Sequence, residues 1–215
     1  MAMMPYPDDE NLSEDQEVLF EHAKVLMGRL ANAVRMGGHS PKVMQPLMGF
    51  MVAALRHEVS GILPMEVKSL AILKTSTLNG CAYCVGHNST LGRGLGFSEE
   101  KIEAVTGDYQ NSDLFTDAEK AAMAWAECLT EKNYHMGEGK AAKEELKKHF
   151  SEPEIIEITM VSGFFNFWNR FTDGLEIDLE SSDSVGKIKN SKNVNVDDYL
   201  AFMNNAWWND QDKKR

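Results

Sequence analysis

Apolar side chains recur in this chain at intervals of three and four residues, and no long segment alternates between apolar and polar residues. The first such run follows Ser13 and Gln16, which have the spacing of a helix capping box. Its apolar members are Val18, Leu19, Leu26, Met27, Leu30 and Val34. Similar runs occupy most of residues 41–174. This spacing is typical of one face of an α-helix, so the sequence predicts an all-α fold.

Three segments of different character follow one another along the chain. We predict a disordered amino terminus over residues 1–12, a helical domain over residues 13–180, and a polar arm over residues 181–215. The arm ends in a short aromatic helix with Leu200, Met203 and Trp207 on one side. Because such a helix would expose apolar surface by itself, we expect it to dock onto its own domain or onto a neighbouring subunit.

Charge and composition exclude several classes of function. The 215 residues carry a formal net charge of -11, which argues against nucleic acid or an anionic membrane as the main partner. No run of about 18 apolar residues is present, and the first residues lack the pattern of a secretory signal, so we predict a cytoplasmic protein. Three cysteines in a chain of this length do not indicate a disulfide framework.

The segment "NGCAYCVGHN" at residues 79–88 carries the clearest chemical signal. Asn79-Gly80 ends one predicted helix, and Cys81 and Cys84 fall in the first turn of the next. Free backbone N–H groups at a helix start lower the pKa of a thiol, and a C-x-x-C pair closes into a disulfide with little movement. His87 lies on the same face and could accept the thiol proton. A nucleophilic thiol, a resolving thiol and a base are typical of thiol peroxidases and disulfide reductases.

Other interpretations of the two cysteines remain open. They could be buried structural residues, because free cysteine is among the most buried residue types. A zinc site would need a fourth ligand besides Cys81, Cys84 and His87, and the candidates are Cys128, His135 and His57. Covalent haem attachment needs histidine directly after the second cysteine, where Val85 stands. We therefore predict no cofactor and no metal.

The stretch "LAILKTSTLNGCAYCVGHNSTLGRGLG" resembles the core of the alkylhydroperoxidase D-like / carboxymuconolactone decarboxylase family, in particular its peroxidase-related branch. The resemblance extends over roughly residues 40–180. It implies an all-α fold with a helical-hairpin core and a homo-oligomer, a trimer or a hexamer. It also implies reduction of a small hydroperoxide, with Cys84 meeting the peroxide, Cys81 resolving, and His87 as the adjacent histidine. A dithiol protein or a small dithiol would restore the pair.

This sequence departs from the family pattern at two positions. The usual histidine position, four residues after the second cysteine, holds Asn88, and the usual glutamate position, twelve residues before the first cysteine, holds Ser69. Because serine cannot hold a proton as a carboxylate does, Glu66, one turn earlier, is the candidate for the proton relay. Alternatively, Glu66 has no relay role and is an exposed glutamate in the first turn of its helix, where the helix dipole favours a negative charge.

Further relay candidates, and a second function, follow from the serine at position 69. His57 and Glu58 precede the helix and are weaker relay candidates than Glu66.

The alternative function is a non-redox lyase of the carboxymuconolactone decarboxylase type, or a binding protein with the same fold. Lyase members usually lack a C-x-x-C, so the cysteine pair favours the redox function.

Overall fold

The structure is a computed structural model, and it describes residues 2–190 and 192–209, without the side chain at position 190. All regular elements of these residues are helical, which confirms the predicted all-α class. The α-helices are α1 (Glu14–Met27), α2 (Asn32–Gly37), α3 (Pro41–Leu55), α4 (His57–Ser60), α5 (Met65–Leu78), α6 (Ala82–Gly94), α7 (Glu99–Ala104), α8 (Asp117–Glu131), α9 (Glu138–His149), α10 (Glu152–Gly174), α11 (Ser182–Gly186) and α12 (Val196–Asn205). Short 3-10 turns lie at Tyr109–Asn111, Lys187–Asn190 and Trp207–Asn209.

Contacts within the chain define two compact units. The first unit joins Met1–Ser60 with Leu175–Arg215, and the second is the continuous segment Gly61–Gly174. The boundaries predicted from sequence composition, at residues 1–12, 13–180 and 181–215, describe a different property from this division by contacts. They stay predictions. Within the described residues, no helix combines the length and the apolar character that crossing a bilayer requires.

In the first unit, α1 and α3 pack together and the carboxyl-terminal helix α12 packs against both. The predicted capping box starts α1: the Ser13 backbone N–H donates to the Gln16 side chain at 2.8 Å, and Ser13 Oγ accepts from Gln16 N–H. Phe202 of α12 is fully buried, and Trp207 Nε1 donates to the Lys42 carbonyl at 2.8 Å. A Cβ atom at Gly49 would lie 2.9 Å from Met203 Sδ, so glycine permits this close approach. The terminal helix therefore docks on its own chain.

In the second unit, α5 is the central helix and packs against α6, α8 and α10. Its residues from Lys68 to Ser76 are all buried. Leu70 and Leu73 of α5 belong to an apolar core cluster. Its other buried members are Ile102, Val105, Tyr109, Phe115 and Met123. Gly80, with φ of +71°, makes the turn from α5 into α6, so these two helices form the expected hairpin. This turn positions the two cysteines.

Candidate active site

The turn between α5 and α6 fixes both cysteines at the start of a helix. The Cys81 backbone N–H donates to the Ser76 carbonyl at 3.0 Å, which holds the residue against the end of α5. Cys81 is the N-cap of α6, and its Sγ accepts from the Cys84 backbone N–H at 3.3 Å. The predicted position of the pair at the helix start is therefore confirmed. A sulfur in this position is favoured as an anion, because the backbone N–H groups at the start of a helix point toward it.

A hydroxyl group from α10 lies against both sulfur atoms. Thr172 Oγ1 is 3.2 Å from Cys81 Sγ and 3.6 Å from Cys84 Sγ. The same oxygen is 3.1 Å from the carbonyl oxygens of Trp168 and Asn169, to which it can donate its single hydrogen. Rotation of the hydroxyl therefore directs that hydrogen either to the backbone or to a sulfur. Both cysteines and Thr172 are at most 1% exposed, so these contacts are made away from water.

The two thiols differ in their affinity for a proton. The pKa of Cys81 is lowered, first by a hydrogen bond from the Cys84 thiol and then by Thr172 and the Cys84 N–H; burial opposes these effects. The pKa of Cys84 is raised by its hydrogen bond to Cys81, by burial and by the charge of Cys81. The Cys84 N–H and the shorter Thr172 contact both lie on Cys81 Sγ, so this geometry favours Cys81 as the thiolate of the pair.

Asn169 connects the helices on either side of the cysteines. Its Nδ2 donates to Ser76 Oγ at 3.2 Å, and its Oδ1 accepts from Asn79 Nδ2 at 2.9 Å. Asn79 Nδ2 also lies 3.1 Å from Asn166 Oδ1. These amides tie the end of α5 to α10, the helix that carries Thr172.

Sequence reasoning missed Asn169 and Thr172. Together with Ser162 and Asn166 they form a polar row on the otherwise apolar helix α10, with intervals of four, three and three residues. Buried polar side chains at helical spacing on an apolar helix require partners, and this was the signal available in the sequence.

His87 and Asn88 follow the pair on α6. His87 Nδ1 is 2.8 Å from the Tyr83 carbonyl, and its ring lies 4.2 Å from the Tyr83 ring. Because a carbonyl only accepts, Nδ1 carries a hydrogen and Nε2 is the nitrogen able to take a proton. Asn88 Nδ2 donates to the Cys84 carbonyl at 2.8 Å. The role of His87 as the base stays a prediction.

Glu66 lies at the opposite end of α5 from the cysteine turn, and its role in a proton relay stays a prediction. Glu66 is exposed in the first turn of α5, ten residues before Ser76, which is about 15 Å along the helix axis. Ser69 is 1% exposed, and among the described residues its Oγ has no hydrogen-bond partner. The weaker candidates His57 and Glu58 belong to α4 of the first unit and are exposed.

One carboxylate does act on the pair. Asp173 follows Thr172 on α10, and its interaction with the Cys81 side chain raises the pKa of that thiol, against the larger effects that lower it. Asp173 is exposed whereas Cys81 is completely buried. Asp173 lies 92 residues after Cys81, so its proximity is not visible from the spacing of residues on α5.

The ligands of the alternative zinc site are not assembled. Across residues 2–190 and 192–209, no three histidine, cysteine, aspartate or glutamate side chains are grouped so that they could hold a metal ion. Cys128 lies buried in α8, and its pKa is raised by burial and by the neighbouring Glu127 and Glu131. Cys81, Cys84 and Cys128 are all free thiols.

Comparison with known proteins supports the family resemblance. A sequence model of the Carboxymuconolactone decarboxylase family matches residues 41–127. A protein of unknown function from Agrobacterium tumefaciens, ATU0492, for which an antioxidant defence role as AhpD is suggested, is 30% identical. Its structure superposes with a TM-score of 0.61 over 68% of this chain and 96% of that one.

Two further structures share the fold at lower identity. An uncharacterized peroxidase-related protein with an alkylhydroperoxidase AhpD core, from Ralstonia eutropha JMP134, is 19% identical, with a TM-score of 0.72 over 87% of this chain and 96% of its own. The debrominase Bmp8 is 23% identical, and its structure superposes with a TM-score of 0.68 over 85% of this chain and 96% of its own. The matched region contains the hairpin with the C-x-x-C pair, so this chain belongs to the alkylhydroperoxidase D-like / carboxymuconolactone decarboxylase family.

Proposed function

We propose that this protein is a thiol-dependent hydroperoxidase or disulfide oxidoreductase, and that Cys81 and Cys84 are its redox pair. The observation that carries the proposal is the contact of both sulfur atoms with Thr172, while Cys81 Sγ also accepts the Cys84 N–H. This arrangement supports a thiolate and a neighbouring thiol within reach of one disulfide. Its substrates are a small hydroperoxide and a dithiol reductant.

The charge distribution favours Cys81 as the first nucleophile. Its thiolate attacks the terminal oxygen of the hydroperoxide, the O–O bond breaks, and the leaving alkoxide takes the proton of Cys84. Cys84, now a thiolate, attacks the sulfur of the Cys81 sulfenic acid; hydroxide leaves and the disulfide forms. An external dithiol reduces the disulfide by exchange.

The family resemblance implies the opposite order, in which Cys84 meets the peroxide. That order requires the Cys84 proton to pass to Cys81 before attack, because the pKa of Cys84 is the raised one. Trapping the sulfenic acid with dimedone in single-cysteine variants distinguishes the two orders. We expect the adduct on Cys81 in Cys84→Ser, and an adduct formed only in Cys81→Ser would reverse the assignment.

Thiol counting tests the function itself. Reduced protein is titrated with tert-butyl hydroperoxide, and free thiols are counted after denaturation. We expect the loss of two thiols per chain and a Cys81–Cys84 disulfide in the peptide map, while Cys128 remains free. If peroxide consumes no thiol, or if the disulfide involves Cys128, the proposal is wrong.

A second candidate function rests on Ser69. Since no carboxylate occupies that buried position, a non-redox lyase or a binding protein with the same fold is the alternative. Activity that survives alkylation of both cysteines would favour this alternative, and complete loss on alkylation would favour the redox function.

Replacing Thr172 tests how the site holds its charge. In Thr172→Val the hydroxyl that contacts Cys81 Sγ and lowers the pKa of this thiol is lost, so we expect the pKa of Cys81 to rise and less thiolate to be present at neutral pH. We expect Cys81 to react several-fold more slowly with iodoacetamide at pH 7, and its pH profile to move upward. Thr172→Ser keeps the hydroxyl and should restore the wild-type profile. An unchanged profile in Thr172→Val would show that the hydroxyl does not stabilise the thiolate.

A further inference from the structure

Oxidation and reduction of the cysteine pair each move a proton into or out of a buried site. A hydroperoxide, ROOH, converts the Cys81 thiolate and the Cys84 thiol into a disulfide, ROH and water, which consumes one proton from outside the pair. Reduction by a dithiol releases one proton when the Cys81 thiolate is restored. Because Cys81 is 0% and Cys84 1% exposed, this exchange requires a group that reaches from the sulfur atoms to the surface.

Three polar side chains of α10 lie along the turn that carries Cys81. Asn166, Asn169 and Asp173 recur at intervals of three and four residues, so they share one face of the helix. The two asparagines contact Asn79 Nδ2 through their Oδ1 atoms, at 3.1 and 2.9 Å. Since Asn79 lies two residues before Cys81, this face of α10 follows the turn towards the cysteine, and its next polar side chain is the carboxylate.

Two observations place that carboxylate at the buried thiol. Thr172, its neighbour in sequence, has Oγ1 at 3.2 Å from Cys81 Sγ. The Asp173 side chain also interacts with the Cys81 side chain and raises the pKa of that thiol, as a carboxylate does when it accepts the hydrogen of the protonated form. Asp173 is exposed, whereas Cys81 is completely buried. One side chain therefore links the buried sulfur with the surface.

We propose that Asp173 is a catalytic residue that carries protons between Cys81 and water. The role rests on the proposed redox function. In oxidation, the protonated carboxyl group donates its proton to the hydroxide that leaves the Cys81 sulfenic acid, so water departs as the S–O bond breaks and the S–S bond to Cys84 forms. After reduction, the carboxylate accepts the proton of the Cys81 thiol and exchanges it with water, which restores the thiolate. One proton is taken up and one is released in each cycle.

Alkylation of Cys81 by iodoacetamide tests the contact without any peroxide. In Asp173→Asn no carboxylate stabilises the protonated thiol, so the pH profile of alkylation, followed by peptide mapping, should move to lower pH. This direction is opposite to that expected for Thr172→Val. The substitution keeps the other ionisable groups on the helices around the turn, which are Cys84, His87 and Arg170; residues 75–80 contain none.

A carboxylate elsewhere on α10 provides the matched control for alkylation. Glu152 is exposed in the first turn of the helix, far from the cysteines along its axis, so Glu152→Gln should leave the pH profile of Cys81 unchanged. A profile of Asp173→Asn that stays at the wild-type position, or that moves to higher pH, would overturn the proposal, because the carboxylate would then not accept the thiol hydrogen.

The rate of disulfide formation tests the role in catalysis. Reduced protein is mixed with excess tert-butyl hydroperoxide, and the Cys81–Cys84 disulfide is followed in a single turnover. We expect Asp173→Asn to form it about a hundredfold more slowly than wild type, although its Cys81 reacts faster with iodoacetamide at neutral pH. Asp173→Glu should recover part of the rate, and Glu152→Gln should match the wild type.

The two arms separate this role from the redox function itself. If the wild-type protein loses no thiols to peroxide, the redox function is wrong and the catalytic role of Asp173 is wrong with it. If the wild type forms the disulfide and Asp173→Asn forms it at the same rate, the redox function stands and only the role of Asp173 is overturned. A slower reaction with an alkylation profile at lower pH supports both, because a structural defect alone would not make Cys81 more reactive.

Discussion

Cys81→Ser and Cys84→Ser are each expected to reduce the rate of peroxide turnover with a dithiol reductant on the order of a thousandfold or more. The reason is that the catalytic cycle needs both sulfur atoms: one forms the sulfenic acid, and the other closes the disulfide that the reductant attacks. The measurement is the steady-state consumption of tert-butyl hydroperoxide by the reduced protein. Single-turnover loss of one thiol in Cys84→Ser should remain, because Cys81 keeps its N-cap and Thr172 contacts.

Cys128→Ser is the matched control for this experiment. Cys128 is also buried, at 4% exposure, but it lies on α8 and its pKa is raised. We expect turnover close to that of the wild type. Activity of Cys81→Ser or Cys84→Ser equal to that of Cys128→Ser would rule out a redox role for the pair.

Lys68→Met is expected to lower the free energy of unfolding by about 3–5 kcal/mol. Lys68 Nζ lies 2.9 Å from Glu157 Oε2, and the two side chains are 0% and 12% exposed. Removing the ammonium group leaves the largely buried carboxylate without its countercharge, although the Leu63 N–H still donates to it at 3.1 Å. Chemical denaturation followed by circular dichroism measures the effect.

An exposed ion pair provides the control for the buried one. Lys147 and Glu144 are 3.2 Å apart, with side chains 63% and 64% exposed, so Lys147→Met should change the free energy of unfolding by less than about 1 kcal/mol. The double variant Lys68→Met/Glu157→Leu should recover most of the lost stability, because no charge remains buried. Equal effects of Lys68→Met and Lys147→Met would contradict the explanation.

The sequence predicted those parts of the fold that depend on local pattern. Apolar spacing identified most of the helices, but the run from Val18 to Val34 is divided into α1 and α2, because Gly28 ends α1 in the left-handed conformation. The Ser13 capping box and the Asn79-Gly80 break marked helix ends that the structure confirms. The cysteines were placed at a helix start for the same reason, because capping and glycine positions are local signals.

The partners of the cysteines depend on contacts between distant residues. Thr172 is 91 residues from Cys81 in sequence, and only the packing of α10 against α5 and α6 brings the two together. The relay role of Glu66 stays a prediction, because the distance from this residue to the cysteines depends on how α6 returns along α5. The distribution of the proton between Cys81 and Cys84 also follows from these contacts, and spacing alone does not determine it.

The division of the chain into a continuous and a discontinuous unit has a consequence for synthesis on the ribosome. The contacts of residues 61–174 are grouped within one continuous segment, so we expect these residues to fold once they have emerged. Helices α1 and α3 emerge before α12, the helix that covers them, has been synthesised. At 5–20 residues per second, the ribosome needs on the order of ten seconds to synthesise the intervening residues. During that time the apolar surface that later buries Phe202 is uncovered, so we expect α1 and α3 to be accessible to chaperones before α12 docks.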